Sequence, residues 1–216
     1  MAKIEWSDAA ERTFETGVDR GVIYPNPSLG VPWMGLKRVA QSLGIGAPSP
    51  YYFDGVKYLE VPSFGDVSGV VEAITYPDEL LLLEGWSSFV NGLSIGGQRQ
   101  PQFGLSYRTL IGNPNDGVNH GYKLHILYNV TIVPADREYE TINDSPEASE
   151  FTWTFTTVPE AVVGYRPTAN VFLDTKNTHP QLMAQIEDIL YGTVLEDARF
   201  PGLQELKDLC ANFVPV

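Results

Sequence analysis

The sequence predicts a mainly β chain of α+β order. About nine strands form an antiparallel β-sandwich or barrel with long hairpins, followed by a C-terminal α-helix. Three observations carry this. Apolar and polar residues alternate in many short runs, the mark of half-buried strands. The 20 glycines and 16 prolines are scattered singly between those runs, as turns are. Helical spacing appears only near the C-terminal end, where apolar residues begin to recur every three or four positions.

The longest β signal is 102–133. In its first arm Phe103, Leu105, Tyr107 and Thr109 share one face, and Gln102, Ser106 and Arg108 the other. In its second arm Tyr122, Leu124, Ile126, Tyr128, Val130 and Ile132 alternate with Lys123, His125, Asn129 and Thr131, with Leu127 as the exception. The 112–117 stretch between them (GNPNDG) cannot continue either strand, because it combines residues that tolerate positive φ with a proline lacking an N–H. A long hairpin follows.

In chain order, residues 1–20 mix Trp6, Phe14 and Val18 with charges and read as an arm that packs on something else. A short strand at 21–24 is stopped by Pro25 and Pro27. One strand runs from Val31 through Trp33 and Leu36 to about Ala40, and 43–50 is loop. Asp54-Gly55 between β formers sets a type I′ hairpin over 50–59. In 66–76, Val70, Glu72, Ile74 and Tyr76 share a parity; the carboxylate of Glu72 says this face is not a closed core. The apolar run 80–86 fits either helix or strand. Residues 91–101, with Gly92, Gly96, Gly97 and Pro101, read as an exposed loop, and 134–149 as polar turns.

The cleanest strand is 151–157, with aromatics on one face and Thr152, Thr154 and Thr156 on the other. A last strand lies at 169–173. Leu182, Met183, Ile186, Ile189 and Leu190 mark a helix over 178–192, capped by Asn177 or Thr178 and stopped by Gly192. A second amphipathic segment within 193–216 carries Leu203, Leu206, Leu209, Cys210 and Phe213. No linker composition or internal repeat divides the chain, so a single domain over 1–216 is expected.

The hydrophobic fraction of 43% is enough to fill a core. The net charge is −13, and the acids outnumber the bases 12 to 6 over 1–97 and 14 to 5 over 134–216, but number 1 to 3 over 98–133. So acidic a chain repels phosphate backbones, which argues against tight nucleic-acid binding. The lone Cys210 allows no intrachain disulfide. The N-terminus has no signal-peptide apolar region, and no apolar run is long enough to span a membrane, so no membrane insertion is expected.

Residues that could carry chemistry form no pattern. His120 and His125 are five apart, on opposite faces of an extended strand, which argues against a shared metal. His120 reads as a polar tip residue and His179 as a solvated residue before Pro180. Cys210 shares an apolar stripe with Leu206 and Phe213 and reads as a buried small hydrophobe. Glu147 with Glu150, and Asp78 with Glu79, read as solvated loop charges. The glycines of 92–97 make no phosphate cradle. No catalytic residue, metal or cofactor is expected. A monomeric β-sandwich ligand- or carbohydrate-binding module using exposed Tyr and Trp, and a hydrolase with a carboxylate pair, stand as alternatives.

Seven segments, in order, resemble one family: 17–24 (GVDRGVIY), 31–36 (VPWMGL), 50–59 (PYYFDGVKYL), 73–79 (AITYPDE), 103–109 (FGLSYRT), 120–125 (HGYKLH) and 141–147 (TINDSPE). Together they resemble the major tail protein, or tail-tube protein, of long non-contractile-tailed phages (siphophages) of the actinobacterial-host type. The resemblance runs from about residue 5 to 192, with no appended immunoglobulin-like domain. It implies a structural virion protein of the phage tail, assembled in the host cytoplasm. Homohexameric rings would stack around the tape measure protein and meet the tail terminator and distal tail proteins. Hairpins of each subunit would join in an inner barrel through which viral DNA passes without specific binding.

On that reading the inner wall is expected from 123–133 and 149–157, with 56–76 as a further candidate. Asn129, Thr131, Thr152, Thr154, Thr156 and Glu72 become lumen or inter-subunit residues. The arm 1–20 with Trp6, the loop 41–50, and the tip 112–120 with Asn115, Asp116 and His120 become ring-to-ring contacts.

Overall fold

The computed structural model describes residues 12–44, 48–61, 66–134, 137 and 148–215. The strands are β1 (Phe14–Asn26), β2 (Leu29–Trp33), β3 (Leu36–Leu43), β4 (Ser49–Phe53), β5 (Val56–Val61) and β6 (Val67–Ala73). After helix α1 (Glu79–Leu83) come β7 (Ser87–Val90), β8 (Leu93–Ile95), β9 (Phe103–Asn113), β10 (Gly117–Val133), β11 (Phe151–Thr157) and β12 (Asn170–Asp174). Helices α2 (Pro180–Tyr191) and α3 (Leu203–Asn212) close the chain. Among the described strands every pairing is antiparallel, as expected of an antiparallel sandwich or barrel.

One sheet runs β2-β1-β9-β10-β11-β6-β3, with β12 also on β10. Its two ends are joined by the chain, since β2 passes into β3 through a tight turn at Met34-Gly35. The Gly35 amide lies at φ +78, and an added Cβ would sit 2.7 Å from Thr75 Cγ2. The Trp33 indole donates to the Thr75 carbonyl at 2.9 Å and locks that corner. The sheet therefore curls around a core that includes Ile23, Trp33, Val71, Leu105, Trp153 and Phe155. Trp33 and Trp153 meet edge to face at 5.2 Å. Burying each large side chain of this core is worth about 2–3 kcal/mol.

A second core lies on the opposite face of the sheet. Val22, Tyr24, Leu124, Ile126 and Tyr128 pack there against Leu182, Met183, Ile186 and Leu190 of α2 and Leu203 and Leu206 of α3. The Tyr24 hydroxyl donates to the Leu190 carbonyl at 2.8 Å, tying the sheet to the end of α2. Helix α2 ends at Gly192, φ +77, as its position predicts. The start is different: the N-cap is His179, whose Nδ1 accepts from the Gln181 amide at 3.3 Å, rather than Asn177 or Thr178.

Four further expectations change. Residues 14–20 are not an arm but the first half of β1, paired with β9. The single strand expected over 31–40 is two, β2 and β3. The undecided run at 80 begins as α1, and the expected 91–101 loop contributes β8 to a hairpin with β7. Finally, β10 does not keep one parity. The register slips between Leu127 and Val130, and Asn129 sits at φ +49. Beyond this bulge Val130 and Ile132 join Leu127 in the first core, while Leu124, Ile126 and Tyr128 serve the second. Both faces of mid-β10 are thus covered, and the wet face lies farther along the sheet.

Candidate functional site

The exposed polar face is built by four strands: the end of β10, then β11, β6 and β3. Thr152, Thr154 and Thr156 point outward from β11, while Trp153 and Phe155 fill the core behind them. Register places Glu72, Val70 and Ser68 of β6 beside these threonines. On the far side of β6, Arg38, Ala40 and Ser42 of β3 continue the same rows. On the near side Thr131 of β10 pairs with Thr156, and Val133 with Thr154. Five of the six residues expected at the lumen or between subunits therefore share one face.

Asn129, the sixth, has a different job. Its positive φ makes the bulge, and its Nδ2 donates to the Val158 carbonyl at 3.1 Å while its own carbonyl accepts the Val158 amide at 3.1 Å. It holds the β10–β11 junction in register. Alternation alone could not show this, because a bulge adds one residue without altering composition.

Charge on this face is balanced. Arg38 Nη1 meets Glu72 Oε1 at 2.7 Å, and Lys37 Nζ meets Glu150 Oε1 at 2.6 Å. The Glu150 carboxylate raises the Lys37 pKa, and Glu72 adds to the effect. The acid surplus of the chain is thus not carried on this face. Hydroxyls, small apolar groups and matched ion pairs cover it instead. Arg38, Ala40, Ser42 and Lys37 were missed from sequence, since only the β3–β6 pairing puts them beside the threonines.

The four-stranded patch has two unsatisfied edges among the described strands. β3 is hydrogen-bonded to β6 and to no other strand. On the other side, the β9–β10 ladder stops at Val130↔Phe103, so Thr131, Ile132 and Val133 have β11 on one flank and no strand on the other.

The expected ring-contact residues lie elsewhere. Asn115 and Asp116 are exposed at the β9–β10 tip, and His120 is half-buried beside them. Asp116 Oδ2 takes the His120 Nδ1 at 2.9 Å and the Asn113 amide at 3.1 Å, which together hold its pKa below the usual carboxylate value. The tip is a self-satisfied turn. From His120 to Thr131 is about 35 Å along the strand, so tip and hydroxyl face occupy opposite ends of β10. Trp6 lies outside the described residues, as does the centre of the 41–50 loop.

Two hairpins present apolar side chains to solvent. The β4–β5 pair turns at Asp54 and Gly55, with φ of 51° and 75°, as a type I′ turn requires. It presents Tyr52, Phe53, Val56 and Tyr58 to solvent at 59% to 73% exposure. The β7–β8 hairpin exposes Phe89, Val90, Leu93 and Ile95.

Among the described residues no group of His, Cys, Asp and Glu is placed to hold a metal ion, and no helix is long and apolar enough to cross a membrane. His125 stacks flat on Tyr107 at 4.8 Å and shares a hydrogen bond of 3.0 Å with Thr109, so it is a packed side chain. Burial pushes its pKa below the ordinary 6.5. Cys210 is exposed on α3, not buried as its apolar stripe suggested, because the stripe is wider than the face α3 turns inward.

No protein-family model matches the chain, and no curated protein does. Among solved structures, a chain from the cryo-EM structure of the anti-feeding prophage baseplate, six-fold symmetrised, aligns with a TM-score of 0.35 at 13% identity. The alignment covers 73% of this chain and 94% of that one. That likeness is loose and decides nothing about the role of this chain.

Proposed function

We propose that this chain is a structural subunit of a phage tail, the tail-tube protein that its sequence resembles, forming hexameric rings that stack into a conduit. The supporting observation is the β10–β11–β6–β3 patch. It has one solvated face and two free edges of different construction. A free edge is a liability unless something pairs it. Two unlike edges on one molecule make a head-to-tail contact, which closes into a ring when the rotation allows. Here the β3 edge of one copy meets the Thr131–Val133 edge of the next, and the sheets join into a barrel.

The hydroxyl face then lines the lumen. Its cations are committed to Glu72 and Glu150, so they offer passing phosphates little to hold. The tape measure protein would occupy the lumen during assembly, with tail terminator and distal tail proteins at the two ends. This role includes no reaction and no cofactor.

Negative-stain microscopy of the purified protein tests the proposal. Rings or tubes with an axial hole are expected. Elution as a 23.9 kDa monomer at all concentrations, with no ring or tube, would refute it. A tube map placing Thr152, Thr154 and Thr156 on the outer wall would refute the lumen assignment alone.

A further inference from the structure

β3 carries one of the two edges of the proposed ring contact, and its ladder holds it from one side only. The Gly44 amide donates to the Asp66 carbonyl at 3.1 Å, and the β3–β6 register runs without a shift from Leu43 back to Arg38. Bonded and unbonded pairs alternate along an antiparallel ladder. Ser42 and Ala40 therefore commit their peptide groups to β6, while Val39, Gln41 and Leu43 turn theirs to the open side.

Gln41 is the middle residue of these three, and its side chain is tied inside the sheet. Its Nε2 donates to the Tyr107 hydroxyl on β9, and its Oε1 accepts from Asn170 Nδ2 on β12 at 2.9 Å. Neither strand is a ladder neighbour of β3. Both anchors are firm. Tyr107 is buried and stacks flat on His125. The Asn170 amide donates to Thr168 Oγ1 at 3.3 Å, and its carbonyl accepts from the same hydroxyl at 3.1 Å. Asn170 Oδ1 is buried with no hydrogen-bond partner among the described residues, a cost that the Nδ2 bond to Gln41 helps to offset. A strand bonded on one side frays readily, and another strand pairs with it only where its N–H and C=O groups are held at hydrogen-bond spacing. The Gln41 side chain supplies the missing restraint at the centre of that row. We propose that Gln41 is the positioning residue of the ring contact, holding the open edge of β3, through Tyr107 and Asn170, in the geometry the next copy's strand needs; this rests on the tail-tube reading.

Three variants test this. Gln41→Leu keeps the bulk of the side chain and removes both bonds, and Tyr107→Phe removes the hydroxyl alone. Met183→Ala opens the second core, on the opposite face of the sheet, and controls for lost stability. For each, the urea midpoint and the NMR exchange of the Ala40 and Ser42 amides are read on the unassembled chain, and the lowest concentration giving rings or tubes is found by negative-stain microscopy. Gln41→Leu should raise that concentration about tenfold or more, the scale of two hydrogen bonds, and Tyr107→Phe about threefold. In both, the two amides should exchange faster, and Tyr107→Phe added to Gln41→Leu should change assembly no further. Met183→Ala should lower the urea midpoint at least as much, yet leave both amides unchanged and shift assembly less than about threefold. Tyr107→Phe carries the test if Gln41→Leu does not fold. Variants that assemble at the wild-type concentration, or lose assembly only as Met183→Ala does, would overturn the proposal and leave the tail-tube reading intact. A wild-type chain that forms no ring or tube would overturn both.

Discussion

Glu84 follows α1 and is 4% exposed. Its carboxylate accepts the Trp153 indole N–H and meets Arg137 Nη2 at 2.6 Å. Its carbonyl takes the Gln100 amide at 3.3 Å. Three distant parts of the chain thus converge on one residue behind the hydroxyl face, two of them on its carboxylate. Removing one partner of a buried pair costs about 3–5 kcal/mol. Arg137 keeps 21% of its side chain exposed, so the low end applies. Stranding the indole N–H adds about 1 kcal/mol or more. Glu84→Ala should therefore cost about 4 kcal/mol, a large share of the 5–15 kcal/mol typical of a domain. Glu84→Gln keeps an acceptor for the indole and loses only the charge, so about 2 kcal/mol is expected. Urea unfolding of the unassembled chain, followed by tryptophan fluorescence, reads both. With a slope near 2 kcal/mol per molar, Glu84→Ala lowers the midpoint by about 2 M. A Glu84→Ala midpoint within about 0.5 M of wild type, or equal losses for both variants, would refute the reasoning.

The other expectations concern the sheet. His125 is held neutral by burial with Glu15 and Lys123 as its charged neighbours, so its folded pKa lies below 6.5. The unfolded chain then takes up a proton first, and this contribution is complete above 6.5 and lost as pH falls below it. His125→Gln should flatten the fall in urea midpoint between about pH 7.5 and about pH 5.5; an unchanged slope would show that His125 is not its source. A Cβ on Gly69 would lie 2.1 Å from the Ala40 carbonyl and 2.6 Å from Phe155, so Gly69→Ala should cost about 3 kcal/mol by forcing β3 from β6; an unchanged melting curve would contradict that close approach. Thr154→Arg is exposed and should alter stability by about 0.5 kcal/mol or less. In assembled tubes it should make short duplex DNA adhere at low salt, and adhesion equal to wild type would place Thr154 off the lumen.

Much of the fold was legible because period two survives wherever one face is wet. β11 is the clearest instance: its threonines and aromatics divide in the structure as in the sequence, and with Glu72 they located the polar face. The Asp54-Gly55 turn and the Gly192 stop were legible because backbone stereochemistry restricts which residues serve there. What failed was everything decided by pairing at a distance. Val31 to Ala40 reads as one strand, and only the Trp33 indole on Thr75 reveals the corner. Leu127 breaks the alternation in the sequence, and that break is the trace of the Asn129 bulge. Glu84 lies within the undecided run 80–86, and nothing local announces that Trp153 and Arg137 will close over it. The β3 residues of the polar face were missed for the same reason.

The bulge at Asn129 also bears on how this sequence can change over time. Downstream of it Val130 and Ile132 point inward and Thr131 outward, and that assignment depends on a single extra residue. An insertion or deletion of one codon there would turn Thr131 inward and Ile132 to the water, and would misalign β11 with it. Lineages carrying this fold should tolerate length variation in the hairpin tips while holding the count from Leu127 to Val133 constant.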